Sequence, residues 1–361
     1  MKKTLHITTV LGLVSVFLLS SCSPDLPSGP EPGFEANAVI GVSGLFHCSS
    51  ESWSLKELLF SESLPAAGFQ AIVSSACGAV EHQENIELMI ANGAKVIVIE
   101  TWDFPSLAEQ LKKASASGTI IIALGWEPVQ TQDVDMYIAY DNCRVGELQG
   151  TALLEGLDKK GVGPFNIELI AGTPEDRNSE PFFECAMKVL QPRIDSGDLV
   201  VPSGQLSREQ VATVGWHPKN VQARFDVLLS EFYADGTQLD GILSPNDTLA
   251  RAAVTTVLDS GLPNPVVTGQ DSEFESIYWI AEGKQYSTIS NDIGVIISEV
   301  IKIIQMLQHG EDPPVNDAKT FDNGAKIVPA YLLAPVPVTK DNLCSVYSPD
   351  TVAGRAAMEV C

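Results

Sequence analysis

Short apolar runs that alternate with helix-like segments constrain the fold of this chain more than any other feature of its sequence. The first four runs lie at residues 38–42, 69–74, 95–99 and 119–124, with helix-like sequence between them. Parallel strands bury both faces and read as continuous apolar runs, and their alternation with helices at short spacing is typical of a doubly wound parallel sheet. A second round of this alternation begins near residue 136, so the sequence predicts an α/β fold with two such units in series. A chain of 361 residues is long enough to form two lobes with a cleft between them.

Three of the later apolar runs end at amide or carboxylate side chains. The runs are 241–243, 266–268 and 286–289, and the polar residues that follow them are Asn246, Asp271 and Asn291. Open α/β sheets bind ligands at the carboxyl ends of their strands, so we expect these three side chains to face one crevice. Two amides and one carboxylate suit a polyhydroxylated ligand, because each hydroxyl both donates and accepts a hydrogen bond. The alternative is that these residues only cap helices and form turns.

The first residues have the pattern of an export signal. Lys2 and Lys3 precede an apolar run at 10–19, which is too short to span a bilayer, and small residues follow it before Cys22. The ending Leu-Ser-Ser-Cys resembles the bacterial lipobox, which implies removal of residues 1–21 and a lipid on the thiol of Cys22. Residues 22–36 are rich in Pro, Ser and Gly and fit a tether. We therefore predict a lipid-anchored protein in the periplasm or at the outer face of the cytoplasmic membrane.

The remaining cysteines permit disulfides in an exported chain, but their spacing does not determine the pairing. They are Cys48, Cys77, Cys143, Cys185, Cys344 and Cys361. Two pairings are hypotheses from position: Cys344 with Cys361 to staple the end of the chain, and Cys48 with Cys77 to join two strand ends.

Charge and missing motifs limit the function. A formal net charge of -24 argues against nucleic acid or an anionic membrane surface as a partner, because both require basic patches. The sequence has no phosphate-cradling Gly-rich loop and no Gly-x-Ser-x-Gly elbow, and its five histidines lack partners at metal-ligand spacing. Acidic residues at 271, 273 and 275 more often complement a helix dipole than perform acid–base chemistry. The sequence therefore favours a binding protein over an enzyme and predicts no cofactor or metal.

Three tryptophans lie in predicted loops, where a core residue is not expected. They are Trp53, Trp126 and Trp216. An indole face packs well against the apolar C–H face of a sugar ring, while its N–H can donate a hydrogen bond. The alternative is that these rings fill the ends of the lobes.

Between about residue 38 and about residue 337 the chain carries motifs in a characteristic order. They include YDN at 140–142, VGELQ at 145–149, GPFNIEL at 163–169, LSPND at 243–247, VTGQD at 267–271 and KTFDNG at 319–324. In these runs the chain resembles the ChvE-type multiple-sugar-binding proteins of bacterial ABC importers, relatives of the xylose-, ribose- and galactose-binding proteins. The resemblance implies a type I periplasmic-binding-protein fold with a three-crossing hinge, which closes on one monosaccharide, an aldose, and delivers it to the permease subunits. A sugar sensor coupled to chemotaxis or signalling would have a similar sequence.

The resemblance also implies a set of ligand contacts. Carried over to this chain they are Trp53, Asn142, Asn178, Trp216, Asn246 and Asp271, with Asn291 where family members have Lys or Asn. Family members usually have an Asp-Arg pair after the fourth strand, and this chain has Gly125 and Trp126 there. Arg177 could restore one guanidinium from the other lobe. Because the change weakens hydroxyl recognition and makes the wall more apolar, a modified sugar, glycoside or nucleoside is an alternative ligand.

The domain boundaries follow from this interpretation. We assign residues 37–140 and 292–318 to lobe 1, residues 141–291 and 319–345 to lobe 2, and residues 346–361 to a C-terminal tail. The chain is then expected to cross between the lobes near Asn142, Asn291 and Lys319.

Overall fold

The computed structural model describes residues 33–46, 51–349 and 351–361, and for residues 51–54 it describes the backbone only. The predicted export signal, Cys22 with its predicted lipid, most of the predicted tether and Cys48 lie outside the described residues. Within the described part of the chain, no helix is both long and apolar enough to cross a membrane.

Strands and helices alternate along most of the described chain. The strands are β1 (Val39–Gly44), β2 (Gln70–Ser75), β3 (Val96–Ile99), β4 (Ile120–Leu124), β5 (Met136–Tyr140), β6 (Phe165–Leu169), β7 (Leu199–Val200), β8 (Gly241–Leu243), β9 (Val266–Val267), β10 (Ser287–Ser290), β11 (Ala330–Leu333) and β12 (Val336–Thr339). The helices are α1 (Glu51–Ala66), α2 (Ala79–Ala91), α3 (Ala108–Ala116), α4 (Asn142–Lys160), α5 (Ser179–Asp195), α6 (Arg208–Val211), α7 (Pro218–Phe232), α8 (Asp247–Asp259), α9 (Phe274–Glu282), α10 (Ile293–Gln308), α11 (Leu343–Val346) and α12 (Val352–Val360). Short 3-10 turns lie at Pro105–Leu107 and Val214–Trp216.

Lobe 1 is a doubly wound sheet. Its strand order is β11-β5-β4-β3-β1-β2, and neighbouring strands are parallel. Along β4, Ile120 and Ile122 belong to a core that includes residues of α1 and α10, whereas Ile121 and Ala123 belong to a second core with α2 and α3. Helices thus cover both faces of the sheet, which explains why β4 is apolar at every position. The predicted α/β class is confirmed.

Lobe 2 repeats this plan and extends it at one edge. The order β7-β6-β8-β9 is parallel, with a core that includes α4 and α5 on one face and a core that includes α7 and α8 on the other. Beyond β9, the Tyr286 N–H donates to the Val267 carbonyl at 3.0 Å and the Ile289 N–H donates to the Gly269 carbonyl at 3.2 Å. These bonds join β9 to β10, and β12 pairs antiparallel with β10. The carboxyl ends of β8, β9 and β10 are therefore neighbours.

The chain crosses between the lobes three times, but the third crossing differs from the expectation. β11 pairs in parallel with β5, so residues 319–333 belong to lobe 1 and the chain crosses at 333–336 rather than near Lys319. The physical reason is that β11 covers the otherwise open edge of β5, while Asn323 donates to the Pro128 and Thr131 carbonyls of lobe 1 at 2.8 and 2.7 Å. The first two crossings are in contact through a hydrogen bond, in which the Tyr140 hydroxyl donates to the Asp292 carbonyl at 2.8 Å.

Disulfides fix helix pairs in lobe 2 and in the C-terminal tail. Cys344 and Cys361 are bonded, which confirms that prediction, and Cys143 and Cys185 join α4 to α5. Cys77 is also disulfide-bonded, and its predicted partner, Cys48, lies outside the described residues.

Candidate functional site

The candidate site lies between the lobes, where loops at the carboxyl ends of both sheets meet. The Trp126 indole N–H of lobe 1 donates to Oδ1 of Asp176 in lobe 2 at 3.2 Å. Nδ2 of Asn178 in lobe 2 donates to the Gly125 carbonyl of lobe 1 at 3.1 Å. The two sheets therefore face each other with the ligand-binding edge of each turned inward.

Asn142 and Asn178 lie together at the hinge side of this cleft. Nδ2 of Asn142 donates to Oδ1 of Asn178 at 2.9 Å. Asn142 begins α4 immediately after the first crossing, and Asn178 immediately precedes α5. The structure thus brings together two residues that the sequence places far apart.

Asn246 follows β8 and caps α8. Its Oδ1 accepts a hydrogen bond from the Leu249 N–H at 3.0 Å. Helix capping is the alternative role that the sequence allows for this residue, and the structure shows that Asn246 does cap α8. The cap uses the side-chain oxygen only, so it leaves the amide N–H groups to serve another acceptor.

Asp271 follows β9 and lies deep between the lobes. Its backbone is in the left-handed region with φ of 95°, and its N–H donates to the Ile289 carbonyl at 3.0 Å. The Asp271 side chain is open to solvent, but many protein atoms lie around it. This combination fits a carboxylate at the bottom of a cleft. Burial raises the pKa of Asp271 to about 7. The negative charge of Glu273 also raises this pKa, whereas the positive charge of Lys56 in lobe 1 lowers it. The carboxylate therefore lies within the electrostatic reach of both lobes.

Asn291 follows β10 and has unused hydrogen-bonding capacity. Its Oδ1 is buried and has no hydrogen-bond partner among the described residues, and the same holds for Oε1 of Gln270 beside Asp271. A buried acceptor without a partner costs about 1–3 kcal/mol, which a bound hydroxyl can offset. Gln270 was not predicted, although it ends the same apolar run that pointed to Asp271.

The wall on the lobe 1 side combines an ion pair with aromatic rings. Lys56 forms a salt bridge with Glu100, which is only 2% exposed. The Lys56 ammonium lies 5.9 Å from the centroid of the Trp126 ring. Trp102 packs edge-on against Trp126 with ring centroids 5.8 Å apart. Neither residue of this pair was predicted from the sequence. Glu100 directly follows the apolar run of β3, which could have indicated a site residue, whereas the position of Lys56 inside α1 indicates no site.

Asp176 lies between Trp126 and the predicted aromatic residue of lobe 2, Trp216. Besides the bond from the Trp126 indole, the Asn178 backbone N–H donates to Oδ1 of Asp176 at 2.9 Å. Burial raises the pKa of Asp176, and these hydrogen bonds and the neighbouring Trp216 side chain act against the rise. A Cβ at Gly172 would lie 2.1 Å from the Trp216 ring, so the ring approaches the backbone where only glycine fits. Asp176 was not predicted.

The remaining two predicted residues are placed differently. Trp53 lies in α1, and its side chain is outside the described part of the structure. The Arg177 side chain is 62% exposed, and its Nε lies 3.8 Å from Oε2 of Glu127 in lobe 1. Arg177 therefore lies at the rim of the cleft and pairs across it.

Other concave surfaces lie away from these residues. One pocket of about 390 Å³ is at the opposite edge of the lobe 2 sheet, and one of about 310 Å³ lies between α1 and α10. Among the described residues, no group of His, Cys, Asp and Glu is arranged to hold a metal ion. The cleft is therefore identified by the convergence of polar and aromatic side chains.

Sequence and structure comparisons place the chain among known proteins. Residues 60–312 match the family model described as the periplasmic binding protein domain. The multiple sugar-binding periplasmic receptor ChvE of Rhizobium radiobacter is 41% identical over 286 residues, which cover 77% of this chain and 80% of that protein. A solved ABC transporter solute-binding protein from Clostridium phytofermentans, with bound β-D-glucose, is 33% identical with a TM-score of 0.76 and covers 86% of this chain and 99% of that one. A carbohydrate transporter solute-binding protein from Chloroflexus aurantiacus, in complex with D-glucose, is 29% identical with a TM-score of 0.73 and covers 86% of this chain and 94% of that one.

Proposed function

Because the chain belongs to the periplasmic binding protein family, we propose that it is the solute-binding protein of an ABC importer and captures a monosaccharide between its two lobes. Members of this family bind and do not catalyse, so the chain is not an enzyme. The observation that carries the proposal is Asp271, an exposed carboxylate deep in the cleft beside Asn246 and Asn291 at neighbouring strand ends.

The chemistry of the cleft fits a polyol. Asp271 accepts hydrogen bonds from hydroxyls, the Asn246 amide donates, and the buried oxygens of Gln270 and Asn291 accept. Removing a hydroxyl from water is favourable only where it finds a partner, so this set discriminates in favour of ligands with several hydroxyls. Hinge closure of the two lobes around the ligand would then exclude water from these bonds.

We propose an aldose such as D-glucose as the ligand. Two similar solved proteins carry glucose, and the polar groups of lobe 2 suit its hydroxyls. The second candidate is a glycoside, modified sugar or nucleoside. The apolar wall formed by Trp126 and Trp102 favours this second class, because an aglycone or a base would stack against it.

A thermal-shift screen, followed by calorimetry, tests the ligand class. A ligand that binds only the folded protein raises the melting temperature, so D-glucose, D-galactose and D-xylose should shift it. Methyl and aryl glycosides and nucleosides form the second panel. A shift with the second panel alone would reject the aldose and support the alternative.

We also propose that Cys22 carries lipid and anchors the protein at a membrane surface, where it delivers the sugar to the permease. The support is the lipobox-like sequence and the tether behind it. Metabolic labelling with an azide-bearing fatty acid should mark the natural chain and leave the Cys22→Ser variant unmarked. Labelling of both would exclude Cys22 as the acceptor. Sugar uptake in a strain lacking the protein separates transport from a sensing role, since a sensor would leave uptake unchanged.

A further inference from the structure

In the structure the C-terminal tail begins with α11, so that it comprises residues 343–361, and it is built onto lobe 2 next to the candidate site. α11 and α12 pack on α9 through an apolar cluster that includes Ile277, Leu343 and Ala356. The disulfide between Cys344 and Cys361 joins the two ends of this segment. The tail lies beyond residues 60–312, which match the family model, so the family match assigns no role to it.

One tail residue reaches the turn that carries Asp271. The Tyr347 hydroxyl donates to Oγ of Ser272 at 2.7 Å, and Ser272 directly follows Asp271. Burial raises the pKa of Tyr347, the hydrogen bond with Ser272 opposes that rise, and the charges of Asp247 and of Asp292 at the second crossing add to it. Tyr347 therefore packs between the Asp271 turn and the hinge.

This turn has an unusual backbone. Asp271 and Ser272 both adopt left-handed conformations, with φ of 95° and 51°. Such conformations are unfavourable for residues with a side chain, and they persist only where the surrounding structure holds them. A turn of this kind depends on the contacts that fix it.

The body of lobe 2 supplies three of those contacts through the backbone. The N–H groups of Asp271, Ser272 and Glu273 donate to the Ile289 carbonyl at 3.0 Å, to Oγ1 of Thr288 at 3.3 Å and to Oδ2 of Asp247 at 2.9 Å. The Tyr347 bond is the contact that the tail adds, and it acts on the Ser272 side chain.

We propose that Tyr347 is a positioning residue for Asp271, held in place by the disulfide-stapled tail, and that the tail thereby tunes ligand affinity. The inference rests on the proposed function in one respect, because it takes Asp271 as a ligand contact. It adds that a segment outside the matched family domain determines how that contact is presented.

Two Tyr→Phe variants separate positioning from general packing. Tyr347→Phe removes the hydroxyl that bonds Ser272. Tyr278→Phe is the matched control, because the Tyr278 hydroxyl bonds Glu359 of α12 and also ties the tail to lobe 2, away from the turn. Both changes keep the aromatic ring.

The first measurement is amide hydrogen exchange at residues 271–273, which needs no ligand. We expect faster exchange in Tyr347→Phe and natural rates in Tyr278→Phe. The variant in which both Cys344 and Cys361 are replaced by Ser should exchange faster at the same positions, and natural rates in that variant would remove the disulfide from the proposal. Equal rates for the two Tyr variants would overturn the role of Tyr347.

The second measurement is calorimetric affinity for D-glucose. Losing one hydrogen bond at the turn should weaken binding by about three- to tenfold in Tyr347→Phe and by less than about twofold in the control. Ser272→Ala should cause the same loss, and the double variant should lose no more, because the two hydroxyls form one bond. If the natural protein does not bind D-glucose, the proposal of D-glucose as ligand fails, while the exchange rates still decide whether Tyr347 positions the turn. If it binds and Tyr347→Phe binds equally well, only the present inference fails.

Discussion

The two faces of the cleft use their polar groups differently. On the lobe 1 face, Lys56 is paired with the buried Glu100, and the Trp126 N–H already donates to Asp176. On the lobe 2 face, Asp271 is exposed to the cleft and the Asn291 oxygen is buried without a partner among the described residues. The difference suggests that lobe 1 supplies shape and an apolar wall, whereas lobe 2 supplies the hydrogen bonds that identify the ligand.

The strongest test of this contrast is to break the lobe 1 ion pair. Glu100→Gln removes the buried negative charge that faces the Lys56 ammonium, so we expect the free energy of unfolding to fall by about 3–5 kcal/mol in urea titrations. Glu127→Gln, which alters a more exposed acid on the same lobe, is the control. A variant with unchanged stability but lost ligand affinity would contradict the contrast, because Glu100 would then serve the ligand.

The corresponding change in lobe 2 should act on binding rather than on folding. Asp271→Ala is expected to weaken ligand binding by about 2–4 kcal/mol. The ligand hydroxyls and neighbouring amide groups that donate to the carboxylate would lose a charged acceptor. Calorimetry measures the loss, and Asp341→Ala, an exposed acid at the other edge of lobe 2, controls for the change in charge. Unchanged affinity would remove Asp271 from the site.

A smaller change sharpens the role of the aromatic wall. Trp126→Phe keeps an apolar ring but removes the N–H that donates to Asp176, so we expect affinity to fall by about 1 kcal/mol. Trp102→Phe is the control, since Trp102 is 47% exposed and packs edge-on against Trp126. Equal losses of affinity in the two variants would show that ring packing, and not the interlobe hydrogen bond, determines the contribution of this wall to binding.

The smallest expected effect is a dependence on pH. Ligand hydroxyls donate to the charged form of Asp271, and its pKa in the free protein is raised to about 7, so affinity should be full above that pH and decline as the pH falls through it. From about pH 7.5 to about pH 6.5 we expect roughly a threefold loss, measured by calorimetry. The stability of the unliganded protein should show the opposite trend: the raised pKa favours folding fully below the unfolded value of about 4, and this contribution is lost progressively as the pH rises to about 7. Asp271→Asn should flatten both profiles, and a profile that persists in this variant would assign the titration to another group.

Much of the fold was predictable from the sequence, because parallel strands with two buried faces leave a strong apolar signature. The apolar run at 119–124 coincides with β4 to within one residue, and the family resemblance is confirmed. The lobe assignment of β11 was wrong because an apolar run predicts a strand but does not specify the strand it pairs with. The pairing of Cys143 with Cys185 was likewise left open, since spacing does not determine which cysteines meet.

From the pattern of residues alone, the polar part of the candidate site was predictable only where strand ends mark it, whereas Asn142 and Asn178 were predicted from the family resemblance, which also indicated Trp216. Asn246, Asp271 and Asn291 follow apolar runs, and the structure places those runs side by side. Lys56 and Asp176 were missed for a physical reason: each acts through a partner distant in sequence, and neither lies where a strand ends. The placement of Tyr347 beside Ser272 depends on how the tail folds back on α9, which no local pattern in the sequence indicates.

The late position of β11 in the chain bears on how the protein folds. β11 can join the edge of β5 only after β6 to β10 of lobe 2 have been synthesised, so the sheet of lobe 1 stays incomplete until late in synthesis. Long-range pairing of this kind slows folding and leaves an open strand edge exposed to aggregation in the meantime. If the chain is exported as proposed, the late arrival of β11 would delay completion of lobe 1 until the last tenth of the chain has been made, and a chain that ends before residue 330 would leave β5 uncovered.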